Sequence, residues 1–253
     1  MLNNKIAFIT GSNGGIGKAI IKDLILNKAK VICAVRKADK NFLKFVKKNK
    51  KNIIKVVEFD LLEQEKMKIE INKLRNTIKG IDILINCAGV SKGNLFELTS
   101  QKRLKEVFEV NFFSQINLIQ TLLHFLKKKK KSSIINIGSI SGIVPDKGYL
   151  SYGSSKSAFM FSTKILAEEL SIYGIRVNCV APGVTKTKML KSLDKNYLNK
   201  YQQENFLKKI CTPQQIGNLV SFLSSNFSSH INGQVIRIDG GTRIWRKKLI
   251  IKL

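Results

Sequence analysis

Proline and histidine are scarce in this sequence of 253 residues, which has 3 of the first and 2 of the second. Its cysteines, Cys33, Cys87, Cys179 and Cys211, lie far apart and form no CxxC pair. That spacing offers neither a zinc site nor a redox motif, and His124 and His230 have no second ligand at metal-binding spacing. No metal site is therefore expected. No apolar run approaches the ~20 residues of a membrane-spanning helix. The N-terminus, MLNNKIAFITGS, enters a strand-like run at once and lacks the zones of a signal peptide. A soluble, cytoplasmic protein is expected. There is no internal repeat and no Pro- or Ser-rich linker, so residues 1–253 read as one domain, a length that can bury a single large core.

Acidic residues are also few, 17 Asp and Glu against 45 Lys and Arg, for a net charge of +28. Such an excess suits nucleic acid, a membrane surface or an acidic protein. The cations are 38 Lys and only 7 Arg, however, spread along the whole chain. Nucleic-acid readers rely on Arg and interleaved aromatics, often within a motif. Lys, Asn and Ile are all abundant here and share A/T-rich codons. The charge is read as composition bias on solvated faces, with neither nucleic acid nor membrane expected as a partner. An acidic protein remains open, because charge steers association whatever its origin.

What is present is an alternation. Short apolar, β-branched runs at 5–10, 30–35, 53–60, 81–89, 132–139, 176–183 and 234–241 read as strands. Helical patterns at 14–28, 41–51, 64–78, 100–126 and 152–173 separate them. Strands buried on both faces with helices between them predict an α/β fold, a Rossmann-like doubly wound parallel sheet with helices on both faces. Residues 185–212 differ: polar, charged and weakly periodic, they read as a lid over a site or as a surface helical excursion.

The first strand meets the first helix through ITGSNGGIGKAI, where Gly11, Gly15 and Gly17 form G-x-x-x-G-x-G. One glycine turns the chain sharply, a second lets backbone approach a pyrophosphate, and a third permits close helix packing. The N–H groups and positive dipole of the helix start favour phosphate. A bound dinucleotide is the expectation. At the end of the second strand, VICAVRKADK, an acidic residue would bind a ribose 2′-OH and favour NAD. Val35 holds that place, followed by Arg36 and Lys37. A cation suits a 2′-phosphate, so NADP(H) is favoured over NAD(H), with Arg36 as its contact.

In GYLSYGSSKSAF, Tyr152 and Lys156 stand four apart at a helix start and share one face. A nearby ammonium lowers a phenol's pKa, and the pair can then trade a proton with an alcohol or carbonyl. Tyr149 has no such partner and reads as a rim residue.

With these motifs in order, the sequence resembles the short-chain dehydrogenase/reductase family from Lys5 to Gly241. TGSNGGIG at 10–17 is similar to its cofactor turn, and the resemblance implies cofactor contacts at Gly11, Ser12, Asn13, Gly15, Ile16 and Gly17. FDL at 59–61 implies Asp60 and Leu61 beside the adenine. INCAG at 85–89 resembles the family's N-N-A-G, with Cys87 for the second Asn, and implies Asn86, Ala88 and Gly89 along the cofactor. APGVTKTKM at 181–189 resembles the segment flanking the nicotinamide, which implies Pro182, Gly183, Val184 and Thr187. Ser139 falls thirteen residues before Tyr152, as the family's catalytic Ser does, and Asn111 sits where it keeps a catalytic Asn. The resemblance implies that Ser139 holds a carbonyl oxygen and that Tyr152 donates the proton. Lys156 would lower the Tyr152 pKa and bind the nicotinamide ribose, and Asn111 would hold a relay water.

The subgroup it most resembles is the 3-oxoacyl-[acyl-carrier-protein] reductases of fatty-acid synthesis. The implied substrate is a small-molecule or carrier-linked ketone. Lys127–Lys131 could then form a basic rim near the active site, or simply a solvated helix end. Tyr173 counts against carrier docking, since that position is often basic in the subgroup. An NAD(P)-dependent alcohol or sugar dehydrogenase is the alternative. A non-catalytic dinucleotide-binding regulator is disfavoured by the intact Ser139, Tyr152 and Lys156. Members are often tetramers or dimers, with the two long helices, about 100–126 and 152–173, and the C-terminus in the interfaces. The extension at 242–253, with Trp245, Leu249, Ile250 and Ile251, reads as an oligomer contact in preference to a segment touching an anionic membrane.

Overall fold

Apolar side chains alternate along the strands with the period of two that sends neighbours to opposite faces of a sheet. In a computed structural model that describes residues 1–187 and 195–242, both faces are buried. The strands are β1 (Ile6–Ile9), β2 (Lys30–Val35), β3 (Ile53–Glu58), β4 (Ile83–Asn86), β5 (Ser132–Ile137), β6 (Ile175–Pro182) and β7 (Val235–Ile238). Among the described residues they form one seven-stranded parallel sheet in the order β3-β2-β1-β4-β5-β6-β7. The order reverses between β1 and β4, and ligands of open α/β sheets bind outside the strand ends at such a switch point.

Phe8, Ile32, Leu84, Ile134 and Val177 face one way. They pack on α3 (Gln64–Asn72), α5 (Ser114–Lys127) and α6 (Leu150–Glu169) through Met67, Ile71, Leu118, Leu122, Phe125 and Ala167. Their neighbours Ala7, Ile9, Val31, Cys33, Ile83, Ile85, Ile135 and Val180 face the other way. That side meets α1 (Gly15–Leu26), α2 (Lys40–Lys48) and α8 (Pro213–Ser224) through Ile20, Leu24, Phe42, Ile216 and Val220. Each such fully buried side chain contributes about 1.5–3 kcal/mol relative to exposure. The doubly wound expectation is met.

Two details go beyond the sequence reading, and a third decides between its alternatives. The helical pattern at 100–126 is not one helix. It runs as α4 (Gln101–Phe108), a π-helical turn at Glu109–Phe113, and α5. Helix α8 carried an unread signal, T-P-Q-Q. Thr212 accepts the Gln215 N–H, Gln215 returns a bond to the Thr212 N–H, and Pro213 fills the first helical position. Thr212→Ala is expected to cost about 1 kcal/mol and to lower the melting midpoint by about 2–4 °C. An unchanged thermal unfolding curve would argue against the cap.

The third detail decides between the two readings of Lys127–Lys131, in favour of the helix end. The run ends α5 and enters β5, beside the start of β6, where the Ser132 N–H donates to the Gly174 carbonyl at 3.3 Å. That is the N-terminal edge of the sheet. Ser139 follows the opposite end of β5, seven extended residues or about 23 Å away. Within one chain, then, the run does not rim the site, because a helix feeding a parallel strand must end at that strand's start. Lys129 pairs with Asp82 at 3.2 Å, and Lys127 lies 3.5 Å over the Tyr173 ring.

Of the expected lid, α7 (Lys195–Glu204) and the stretch to Thr212 are described, and 188–194 lie outside the described residues. Of the C-terminal extension only Thr242 is described, so Trp245, Leu249, Ile250 and Ile251 lie outside.

Candidate active site

The switch point is built first from backbone. Beyond β1, the buried Thr10 hydroxyl accepts the N–H groups of Cys87 at 3.0 Å and Ala88 at 3.1 Å, pinning the ends of β1 and β4 together. Gly11 then turns with φ +64, where a Cβ would lie 2.9 Å from the Ala88 backbone. Ser12 is buried and closes the turn, its hydroxyl donating to the Ile9 carbonyl at 2.8 Å. A Cβ on Gly17 would overlap the Gly11 carbonyl oxygen. Helix α1 begins here with no side-chain cap and no acidic residue in its first turn. Its first N–H groups and positive dipole end are therefore available to an anion. Ile16, by contrast, is half-buried and packs on the core beneath α1.

Around this turn stand the other expected cofactor contacts. Asn13 donates to the Lys37 carbonyl at 3.3 Å, which ties the glycine turn to the exposed Arg36–Lys37 stretch after β2. Asp60 follows β3, where its carboxylate accepts the Leu62 N–H at 3.0 Å, and Leu61 is buried. Asn86 is buried and donates to Asn136 at 2.8 Å, leaving its own Oδ1 without a partner. Pro182 ends β6, the Gly183 N–H donates to the Ile238 carbonyl at 3.0 Å, and Val184 follows. Thr187 crosses over to the glycine turn, its Cγ2 3.1 Å from where a Gly15 Cβ would be. An open glycine cradle, an uncapped helix start and flanking cations fit the phosphates of a dinucleotide.

The expected catalytic residues converge at the same edge of the sheet. Ser139 follows β5, where its Oγ accepts the Ser141 N–H at 3.2 Å. Tyr152 lies in the first turn of α6, which approaches closely because Gly153 sits against the Ser141 carbonyl, 2.6 Å from its would-be Cβ. Burial pushes the Tyr152 phenol above its ordinary value, a hydrogen bond with Ser139 pulls it down, and Tyr149 adds to the rise. Tyr149 stands edge-on to Tyr152, with ring centroids 6.1 Å apart.

One turn along α6, Lys156 is only 5 % exposed and its Nζ donates to the Ile137 carbonyl at 2.8 Å. Burial lowers the Lys156 pKa, against the opposing pull of Cys179 and Cys87. Burial is the largest influence on both side chains. Desolvation dominates the phenol, and the ammonium is turned toward Ile137. Gly89 lies between Lys156 and Asn111, its would-be Cβ 3.3 Å from Nζ and 3.1 Å from the Asn111 Oδ1.

Asn111 sits buried in the π-helical turn. Its Nδ2 donates to the Val90 carbonyl at 2.9 Å and to Ser155 Oγ at 3.0 Å, and its Oδ1 accepts the Val90 N–H at 2.9 Å. The side chain is thus occupied as a clamp on the chain after β4. Gln115, which the sequence did not single out, reinforces it by donating at 3.1 Å to the carbonyls of Ala88 and Val110. Nothing in its sequence context marks it, since the residue acts only through the bulge that brings it there.

Comparison with known proteins agrees with this geometry. The family pattern described as short chain dehydrogenase matches residues 5–198. The chain is 34% identical over 95% of its length to 3-oxoacyl-[acyl-carrier-protein] reductase FabG of Buchnera aphidicola subsp. Schizaphis graminum, of which it covers 98%. It is 32% identical, with the same shares covered, to the protein of that name from Aquifex aeolicus. The solved RhlG/NADP active-site complex of Pseudomonas aeruginosa superposes with a TM-score of 0.88 at 28% identity, covering 95% of this chain and 96% of that one. From its glycine turn, its sheet order and these relatives together, the chain belongs to the short-chain dehydrogenase/reductase family and is an oxidoreductase acting on CH–OH and C=O groups.

Proposed function

We propose that the chain is an NADPH-dependent ketoreductase that reduces a 3-oxoacyl thioester, carried on acyl carrier protein, to the 3-hydroxyacyl product of fatty-acid synthesis. The observation that carries the reaction is the convergence of Ser139, Tyr152 and Lys156 beside the glycine cradle. The substrate reading rests on likeness to the carrier-protein reductases. Gly11, Gly15 and Gly17 would hold a dinucleotide by its phosphates, and its reduced nicotinamide would supply the hydride. Ser139 donates a hydrogen bond to the carbonyl oxygen, and Tyr152, kept protonated by burial, gives its proton to the oxygen as negative charge develops there. Lys156 holds a cation beneath this exchange, and Asn111 and Gln115 fix the wall made by Ala88–Val90.

NADPH is favoured over NADH because β2 ends without a carboxylate and Arg36 is exposed beside the glycine turn. Arg36→Ala is expected to raise the NADPH KM about tenfold, the worth of a charge-assisted bond, and to leave the NADH value nearly unchanged. Steady-state assays with both cofactors check this, and equal effects on the two would count against the assignment. A panel of acetoacetyl carrier thioester, simple ketones and ketoses tests the substrate. Preference for a ketose or a simple ketone would turn the reading toward an alcohol or sugar dehydrogenase.

A homo-oligomer, dimer or tetramer, packed through α6 and the turn leading into α5 is supported by the outward Phe113, Phe161 and Ile165. Phe161→Asp is expected to shift the mass seen by light scattering to a smaller assembly, and an unchanged mass would reject that surface. We read 185–212 as the substrate lid of a single-domain cytoplasmic enzyme.

A further inference from the structure

The segment Gly183–Thr187 is held by Cys211, near the far end of the 185–212 stretch. The Val184 carbonyl accepts the Cys211 N–H at 3.2 Å, and the Lys186 N–H donates to the Cys211 carbonyl at 2.9 Å. The Val184 N–H has a different partner. It donates at 3.1 Å to the hydroxyl of Tyr201, on α7. Tyr201 is only 9 % exposed, and the same hydroxyl is 3.2 Å from Thr242 Oγ1. It also stands where a side chain on Gly183 would be, so the glycine makes room for it. Thr242 is fixed in turn, its carbonyl held by Arg237 and its hydroxyl donating to the Asp239 carbonyl at 3.2 Å. One phenol therefore joins three pieces of chain: α7, the segment after β6, and the turn after β7. The other side of that segment presents Thr187 to Gly15 across the phosphate cradle.

We propose that Tyr201 is a positioning residue for the cofactor: its hydroxyl sets where Val184–Thr187 stands over the nicotinamide end of the cleft, and couples that wall to the lid. This rests on the dinucleotide reading above. A phenylalanine would fill the same volume but leave the Val184 N–H without its partner, and the segment would relax toward another acceptor. Arg36 and Asp60 lie outside this network, which meets the glycine turn through Thr187 beside Gly15, so the adenosine half of the site would feel little of the change.

The test is calorimetric titration of wild type and Tyr201→Phe with NADPH and with 2′,5′-ADP, which carries only the adenosine half. Tyr201→Phe is expected to weaken NADPH about three- to tenfold, the effect of one lost, partly buried hydrogen bond, while 2′,5′-ADP binds as before. Equal weakening of both ligands, or NADPH affinity equal to wild type, would overturn the proposal. Thr242→Val reaches the same hydroxyl from its other side by removing its second partner at nearly the same volume. It is expected to give the same split between the ligands, and it decides the matter should the Phe variant fail to fold. Wild type that binds neither NADPH nor NADH would instead overturn the dinucleotide reading itself.

Discussion

Tyr152→Phe is expected to abolish ketone reduction, by at least about 10²–10⁴-fold, while leaving dinucleotide binding and the melting midpoint close to wild type. The substitution removes one oxygen from a ring packed against Tyr149 and Ser139 and leaves the ring itself in place. The pH profile supplies a second readout. Burial raises the phenol, so the acid form needed for reduction persists through neutrality. Then kcat/KM for reduction should stay level and fall only as pH climbs past a value above the ordinary phenol pKa of about 10. Oxidation of the alcohol needs the phenolate and should rise with pH over the same range. A Phe variant that keeps wild-type turnover, or a reduction rate already falling between pH 6 and about 8, would remove Tyr152 from its role.

Gly11→Ala should be the second large effect, and it should strike binding rather than chemistry. At φ +64 an alanine costs about 1–2 kcal/mol in backbone strain alone. Its Cβ would also lie 2.9 Å from the Ala88 N and Cα, backbone atoms already fixed by Thr10. The turn can make room only by parting β1 from the end of β4, which is the floor of the phosphate cradle. Dinucleotide affinity is expected to fall by roughly a hundredfold or more, from about 3 kcal/mol of combined strain and displacement. The melting midpoint should drop by several degrees. Gly14→Ala makes the comparison, because Gly14 has φ −70 and a would-be Cβ 3.2 Å from the Gly11 carbonyl oxygen, so its loss should be far milder. Similar affinities for the two variants in calorimetry would show that the turn is not the constraint described.

The sheet and the position of the site were legible because both rest on local patterns. Strand runs alternate between two buried faces, and Gly11, Gly15 and Gly17 stand at the strand-to-helix turn where the order reverses. Tyr152 and Lys156 share a helix face, and the family resemblance ties them to Ser139. What escaped depends on tertiary direction. Whether Lys127–Lys131 lie beside the site or beyond it follows from which way β5 runs, and composition carries no such sign. The Lys156 ammonium could not be aimed from sequence, because its acceptor is a backbone carbonyl on β5. Tyr201 and Gln115 look like ordinary helix residues and gain their roles only through Val184 and Ala88, which are distant in the chain. Helix α8 is a different case, since its T-P-Q-Q start was present and readable.

The π-helical turn at Glu109–Phe113 has a consequence for the phase of the whole α4–α5 rod. A regular helix advances about 100° per residue, and the wider turn absorbs one surplus residue, so the two halves keep a common inward face. Val107 before it and Leu118 and Leu122 after it all point inward. Inserting one further residue in 109–113 would exceed what the turn absorbs and rotate one half against the sheet by about 100°. Deleting one would close the turn that brings Asn111 to Val90. The stretch should therefore tolerate substitution far better than a change in length.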